Sequence, residues 1–177
     1  YTDKAYRQVF KYNDKIGHSY IENLDTRLLH ENGGYFLKTN SSGFRSDTEF
    51  KKKKGKLKRI LFFGDSNTAG DGVSNSQRYS ELLGKELNCE VYNYAISGTG
   101  TDQQYLIFEN YAKKVDADLI VIGVLVENIQ RNKARFRETV NFYNQNKTLT
   151  PKPYFALNNN KLKLKNVPVP RYFGNQK

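Results

Sequence analysis

The 177 residues contain no methionine or tryptophan, one cysteine and two histidines. Cys89 alone cannot close an internal disulfide. With only His18 and His30 beside it, a cysteine and histidine zinc cluster cannot be assembled, so disulfide scaffolds and zinc modules are excluded. No apolar run approaches the roughly 20 residues that span a bilayer, and the opening Tyr1–Phe10 lacks the apolar segment of a signal peptide. The expectations are no membrane span and a cytoplasmic location. Because even position 1 is not methionine, the chain is expected to begin downstream of its start codon. Acidic residues are scarce in one place. Residues 129–177 hold 11 Lys+Arg against Glu138 alone, whereas residues 1–128 hold 18 Lys+Arg against 17 Asp+Glu, so almost all of the +11 formal charge lies in the last segment.

What is present points to a folded domain. Hydrophobic residues make up 37% of the chain and aromatics 14%, too much for a disordered segment and enough for one core. Residues 1–50 show no long periodic segment and read as an N-terminal arm laid over a domain formed by residues 51–177. Lys51 to Lys54, Lys56, Lys58 and Arg59 place seven positive charges in nine residues, which reads as an exposed connection. Nucleic acid is not expected as a partner.

The apolar run Arg59-Ile60-Leu61-Phe62-Phe63, stopped by Gly64, has the pattern of a strand buried on both faces of a parallel sheet. Tyr79, Leu82, Leu83 and Leu87 predict a helix over 77–88 with those residues inward. Glu90 to Ile96 predicts a second strand. Thr101-Asp102-Gln103-Gln104 reads as a capping box opening a second helix whose buried face carries Tyr105, Phe108 and Ala112. Asp118 to Val126 predicts a third strand, and Arg131 to about Gln145 a third helix. Tyr154–Leu157 and Lys161–Lys165, flanking three asparagines, predict a hairpin near 154–165, and Val167-Pro168-Val169-Pro170 is extended but no central strand. Strands alternating with helices give the expected fold class, α/β, with a doubly wound parallel sheet in a flavodoxin-like three-layer α/β/α arrangement.

Ligands of such sheets bind beyond the carboxyl ends of the strands. Those ends carry Gly64-Asp65-Ser66-Asn67, Ser97-Gly98-Thr99-Gly100 and Glu127-Asn128. Neither glycine segment is a Walker A loop or a Gly-x-Gly-x-x-Gly turn, so nucleotide binding is not indicated. A serine on a strand-to-helix turn either caps the helix or presents its hydroxyl at the sheet edge, where nearby N–H groups stabilise an oxyanion. Ser66 fits both roles.

Gly64-Asp65-Ser66-Asn67-Thr68-Ala69-Gly70 after an apolar strand, Ala95-Ile96-Ser97-Gly98 some thirty residues on, and an asparagine at a later strand end together resemble the SGNH (GDSL-type) hydrolase family. Order and spacing match over about 59–132. Asn40-Ser41-Ser42-Gly43-Phe44-Arg45 resembles the lead-in of many bacterial members. The resemblance implies a serine ester hydrolase in which Ser66 is the nucleophile and the N–H groups of Ser66 and Gly98 and the Asn128 amide form the oxyanion hole. Asp65 supports the turn, and no cofactor or metal is needed. By family analogy the substrate is a small acyl ester, acetyl foremost, of a carbohydrate or other polar alcohol.

Two departures stand out. The family's third block is generally Gly-x-Asn-Asp, whereas here Val126-Glu127-Asn128-Ile129 occurs, a variant that resembles a bacterial subgroup. A Glu127 side chain turned inward would oppose an oxyanion, which favours Asn128. The family also draws its general base from a late Asp-x-x-His, and no histidine follows His30. His18 and His30 lie in no such motif. The expectation is therefore a chain that stops before the Asp/His block, its activity on its own in question. The alternative is a binding module for an anionic polymer, with Arg131, Lys133, Arg135 and Arg137 as its contact face.

Overall fold

A computed structural model describes residues 9–31, 33–140 and 147–171. Its centre is β5 (Arg59–Phe63), buried at every position. A strand apolar on both faces is stable only between two neighbours, and β5 pairs in parallel with β6 (Glu90–Asn93) on one side and β7 (Leu119–Ile122) on the other. Ile60 lies opposite both Val91 and Leu119. Around this three-stranded sheet, ordered β6-β5-β7, lie four antiparallel hairpins, so the fold is mixed α/β.

Two hairpins occupy the stretch where the sequence shows no periodicity. β1 (Phe10–Asn13) pairs with β2 (Gly17–Tyr20), and β3 (Asp25–Leu28) with β4 (Tyr35–Lys38). Phe10, Ile16, Tyr20, Tyr35, Leu37 and Phe44 from this region join Leu61, Phe63, Tyr92, Tyr94 and Ile96 in one apolar cluster. Aromatic contacts knit it together, with Phe63 stacked on Tyr94 and Phe50 on Tyr92. The segment is too short-stranded for a periodic signal, yet it supplies a large part of the core.

α1 (Ser66–Ala69) is a single turn after β5, α2 spans Tyr79–Glu86, and α3 spans Thr101–Ile107 and continues as a wider π turn to Ala112. The buried leucine face predicted for α2 is corrected. Tyr79, Leu82, Leu83 and Leu87 are substantially exposed, and the helix sits on β6 through Ser80 and Gly84 instead. A Cβ on Gly84 would meet Val91 at 2.4 Å, so only small residues fit that contact. The capping box predicted at Thr101 is also replaced. Gly100 precedes the helix and its N–H donates to Gln103 Oε1 at 3.3 Å, while Tyr105 lies outside, its ring 5.9 Å from that of Phe155.

β7, within the strand predicted over 118–126, is the sheet edge, with Leu119, Ile120 and Ile122 about half exposed. The helix predicted from Arg131 to Gln145 is likewise corrected. α4 covers Ile129–Lys133 and the chain then enters β8 (Phe136–Val140), paired with β9 (Lys147–Pro151); the intervening 141–146 lie outside the described residues. The strand at 136–140 exists through its pairing with 147–151, and the local pattern gave way to it. β10 (Tyr154–Asn158) and β11 (Lys161–Lys165) form the last hairpin.

Arg59, one of the seven charges read as exposed, is 1% exposed. Its guanidinium donates to the carbonyls of Lys51, Lys52, Lys53 and Asp116 and to Glu90, and stacks over Tyr92. The lysine side chains stay in water while their backbone wraps one buried cation, which satisfies a charge that would otherwise be costly to bury.

Candidate active site

The carboxyl end of β5 runs into Gly64, Asp65 and Ser66. Asp65 is the N-cap of α1: its Oδ1 accepts from the Asn67 N–H at 3.0 Å. Gly70 closes the turn in the left-handed region (φ 77°), which a glycine adopts without strain, and its N–H donates to the Ser66 carbonyl. Ser66 is thus held at both ends of a single helical turn and remains partly exposed. Among the described residues no hydrogen bond engages its hydroxyl or its N–H.

The second strand end is tied to the first. The Ile96 N–H and the Thr99 hydroxyl both donate to the Gly64 carbonyl, at 3.3 and 3.2 Å. The Ser97 hydroxyl donates to Asp71 Oδ1 at 2.6 Å, and the Asp71 N–H donates to the Ser66 carbonyl at 3.0 Å. Gly98 sits in the left-handed region (φ 78°), and a Cβ there would meet the Arg137 guanidinium at 2.3 Å. Its N–H also has no hydrogen-bond partner among the described residues.

The third strand end joins through Asp65. Asn128 is 2% exposed and its Nδ2 donates to Asp65 Oδ2 at 2.8 Å, while Glu127 is exposed. Arg131 Nη1 lies 3.5 Å from the same carboxylate oxygen and donates to the Thr99 carbonyl at 3.2 Å. Asp65 therefore binds the turn, Asn128 and Arg131 together, and one of the two amide hydrogens of Asn128 is already committed to it.

The histidines occupy different surroundings. His30 is exposed, its ring beside Gly72 and 6.0 Å from that of Tyr35. His18 is buried, with Nε2 2.9 Å from the Ser97 carbonyl and 2.7 Å from Arg137 Nη1. Burial first, and the neighbouring guanidinium second, hold its pKa well below the usual imidazole value. A ring kept neutral and already engaged is a poor base. Among the described residues no group of three or more His, Cys, Asp or Glu side chains could hold a metal.

Several residues here carry no sequence signal of their role. Asp71 lies five positions past Ser66, and Tyr20 and His18 come from a hairpin with no motif. Arg45 closes the recognised lead-in but its contacts were not legible: fully buried, it donates to the carbonyls of Ala69, Gly70 and Val73 and to Asn75 Oδ1, clamping the loop after α1. The four cations 131, 133, 135 and 137 form no common face, since Arg131 and Arg137 turn toward the strand ends and Arg135 lies over Tyr154. A cleft of about 350 Å³ opens beside Gly98 between Gln103, Gln130, Arg131, Phe136, Arg137 and Lys152. Ser66 is not part of its wall.

A serine on a strand-to-helix turn, with a glycine loop and a buried asparagine drawn to it from the two neighbouring strand ends, is the arrangement of an ester hydrolase. Residues 60–170 match the family described as GDSL-like Lipase/Acylhydrolase, and the chain belongs to that family. It is an ester hydrolase of that class, with a small ester as substrate. No curated protein matches the chain. Among the described residues no helix is long and apolar enough to cross a membrane.

Proposed function

We propose that the protein is a serine esterase that removes or transfers a small acyl group, acetyl foremost, on a carbohydrate or similarly polar alcohol. Ser66 Oγ attacks the ester carbonyl: the Oγ–C bond forms, the carbonyl π pair moves onto oxygen, and the alcohol then leaves with a proton as the acyl-serine forms. The N–H groups of Ser66 and Gly98 and the second amide hydrogen of Asn128 donate to the oxyanion, and Asp65 fixes the turn and the Asn128 carboxamide. The observation that carries this reading is that the hydroxyl and N–H of Ser66 and the N–H of Gly98 have no hydrogen-bond partner among the described residues, at strand ends tied to one another by hydrogen bonds. In this reading residues 51–177 are the hydrolase domain, the three parallel strands are the centre of a flavodoxin-like doubly wound sheet, and residues 1–50 are an arm packed on it.

The proton from Ser66 needs an acceptor, and neither His18 nor His30 is placed for it. The 177 residues alone are therefore expected to hydrolyse an activated aryl acetate only at the residual rate of a triad without histidine, roughly 10³ to 10⁴ over water. The deciding experiment is labelling with a fluorophosphonate followed by peptide mapping. Slow covalent phosphonylation of Ser66, driven by excess probe at the rate of a serine without its base and absent in Ser66→Ala, is the expected result. A folded chain left unlabelled at Ser66, or labelled equally in Ser66→Ala, overturns the reading.

A further inference from the structure

Ser97 is 2% exposed, and each of its polar atoms is in use. Its N–H donates to the Tyr20 hydroxyl at 3.4 Å, its Oγ lies 2.8 Å from that hydroxyl and 2.6 Å from Asp71 Oδ1, and its carbonyl lies 2.9 Å from His18 Nε2. The directions follow from what each group can do. A carboxylate only accepts, so the Ser97 hydroxyl gives its proton to Asp71; the Tyr20 hydroxyl must then donate to Ser97 Oγ, and its own oxygen accepts the Ser97 N–H. The result is a one-way chain of donors ending on a charge, a cooperative arrangement in a buried setting. Burial, reinforced by Asp71, pushes the Tyr20 pKa up, so the phenol stays protonated and able to donate.

The Ser97 carbonyl and the Gly98 N–H belong to one peptide unit. A trans peptide is planar, with C=O and N–H pointing in opposite directions, so whatever holds the carbonyl aims the N–H. His18 Nε2 lies 2.9 Å from that carbonyl and 2.7 Å from Arg137 Nη1, so imidazole and guanidinium together wall in the peptide unit, and the guanidinium closes over the other side of Gly98. Asp71, which ends the donor chain, also holds the Ser66 carbonyl through its N–H. The donor and the nucleophile are thereby referenced to the same residue.

We propose that Ser97, held by Tyr20 of the β1–β2 hairpin and by Asp71 and packed against His18, is the positioning residue that aims the Gly98 N–H at the reacting carbonyl, which makes the N-terminal hairpin part of the site. The inference rests on the function proposed above for Ser66 and Gly98.

The test is the kinetics of fluorophosphonate labelling of the chain, resolved into kinact and KI, for the parent, Ser66→Ala, Ser97→Ala, Ser97→Thr and Tyr20→Phe. A misaimed donor raises the barrier without changing ground-state binding. Ser97→Ala and Tyr20→Phe are expected to lower kinact by about 10- to 100-fold, short of the 10²–10³ for outright loss of an oxyanion donor, with KI within about twofold. Ser97→Thr, which keeps the hydroxyl, is expected to stay near the parent. A purely structural role would lower the labelled fraction and the melting temperature and leave kinact of the folded fraction unchanged, and that result overturns the proposal. Should Ser97→Ala fail to fold, Tyr20→Phe decides alone, because it removes one oxygen and keeps the ring stacked on Phe10. If the parent is not labelled at Ser66, the esterase reading falls and takes this one with it. If the parent labels and Tyr20→Phe labels at the same kinact, only the positioning role falls.

Discussion

Arg45 is the residue on which the loop after the Ser66 turn depends, and its loss can be worked through from the contacts. Its guanidinium is buried and donates to the Ala69 and Gly70 carbonyls at 2.7 and 2.9 Å, to the Val73 carbonyl at 2.9 Å and to Asn75 Oδ1 at 3.1 Å. A hydrogen bond to a charged group contributes about 1.5–3 kcal/mol, and an acceptor left unpaired in the interior costs about 1–3 kcal/mol. Four such bonds are not additive, and two effects offset the loss. Water can enter the vacated space, and the neighbouring buried Arg78, whose pKa is lowered chiefly by burial and also by Arg45, is relieved of a like charge. Arg45→Ala is therefore expected to cost about 4 kcal/mol, a large share of the 5–15 kcal/mol that holds a domain together. Arg45→Lys keeps the charge but a single ammonium cannot reach four acceptors spread over 69–75, and about 2 kcal/mol of loss is expected. Urea unfolding followed by circular dichroism, with unchanged m-values, measures both. A loss below about 1 kcal/mol for Arg45→Ala refutes the reasoning, because it would mean that the loop carbonyls find water at no cost.

Gly98→Ala puts a Cβ 2.3 Å from the Arg137 guanidinium on a backbone at φ 78°, and is expected to cut fluorophosphonate labelling at least tenfold; a parent-like rate would show that the loop is not held where the structure places it. Asn128→Asp sets a second carboxylate against Asp65 in place of a 2.8 Å donor, so the folded state should bind a proton more tightly than the unfolded chain; the variant is expected to be destabilised at pH 7 by about 2 kcal/mol and to recover part of that as pH falls toward 5, the reverse of ordinary acid sensitivity. The parent has the opposite dependence at His18. Its folded pKa lies below the unfolded value near 6.5, so the unfolded chain binds more protons just below that pH, the His18 contribution is complete above about 6.5, and it declines as pH falls further. Urea midpoints between pH 7.5 and 5.5 should show this slope, and a variant His18→Gln should flatten it. An unchanged slope in the variant would assign the pH dependence elsewhere.

The sequence by itself determined the parallel core and the chemical class. A four-residue apolar run, Ile60 to Phe63, stopped by Gly64 has one stable placement, between two strands, and β5 occupies it. The Gly-Asp-Ser turn, the Ser97-Gly98 loop and Asn128 were legible through their order and spacing, which resemble those of the family to which the chain belongs. What stayed hidden depends on distance rather than neighbours along the chain. The inward face of α2 is set by how closely Ser80 and Gly84 approach β6, which outweighs the leucine periodicity. The strand at 136–140 exists through its pairing with 147–151, eleven positions from Phe136 to Lys147, and no local pattern announces it. Arg59 reads as one of a run of exposed charges, and the contacts of Arg45 were not legible, because nothing in a sequence says that a run of backbone carbonyls will converge on one guanidinium. Asp65, Asp71 and Ser97 could be seen as polar residues near a turn. Only the folded chain, by bringing Tyr20 and His18 from a hairpin some 77 residues away in sequence to Ser97, decided which groups those residues hold.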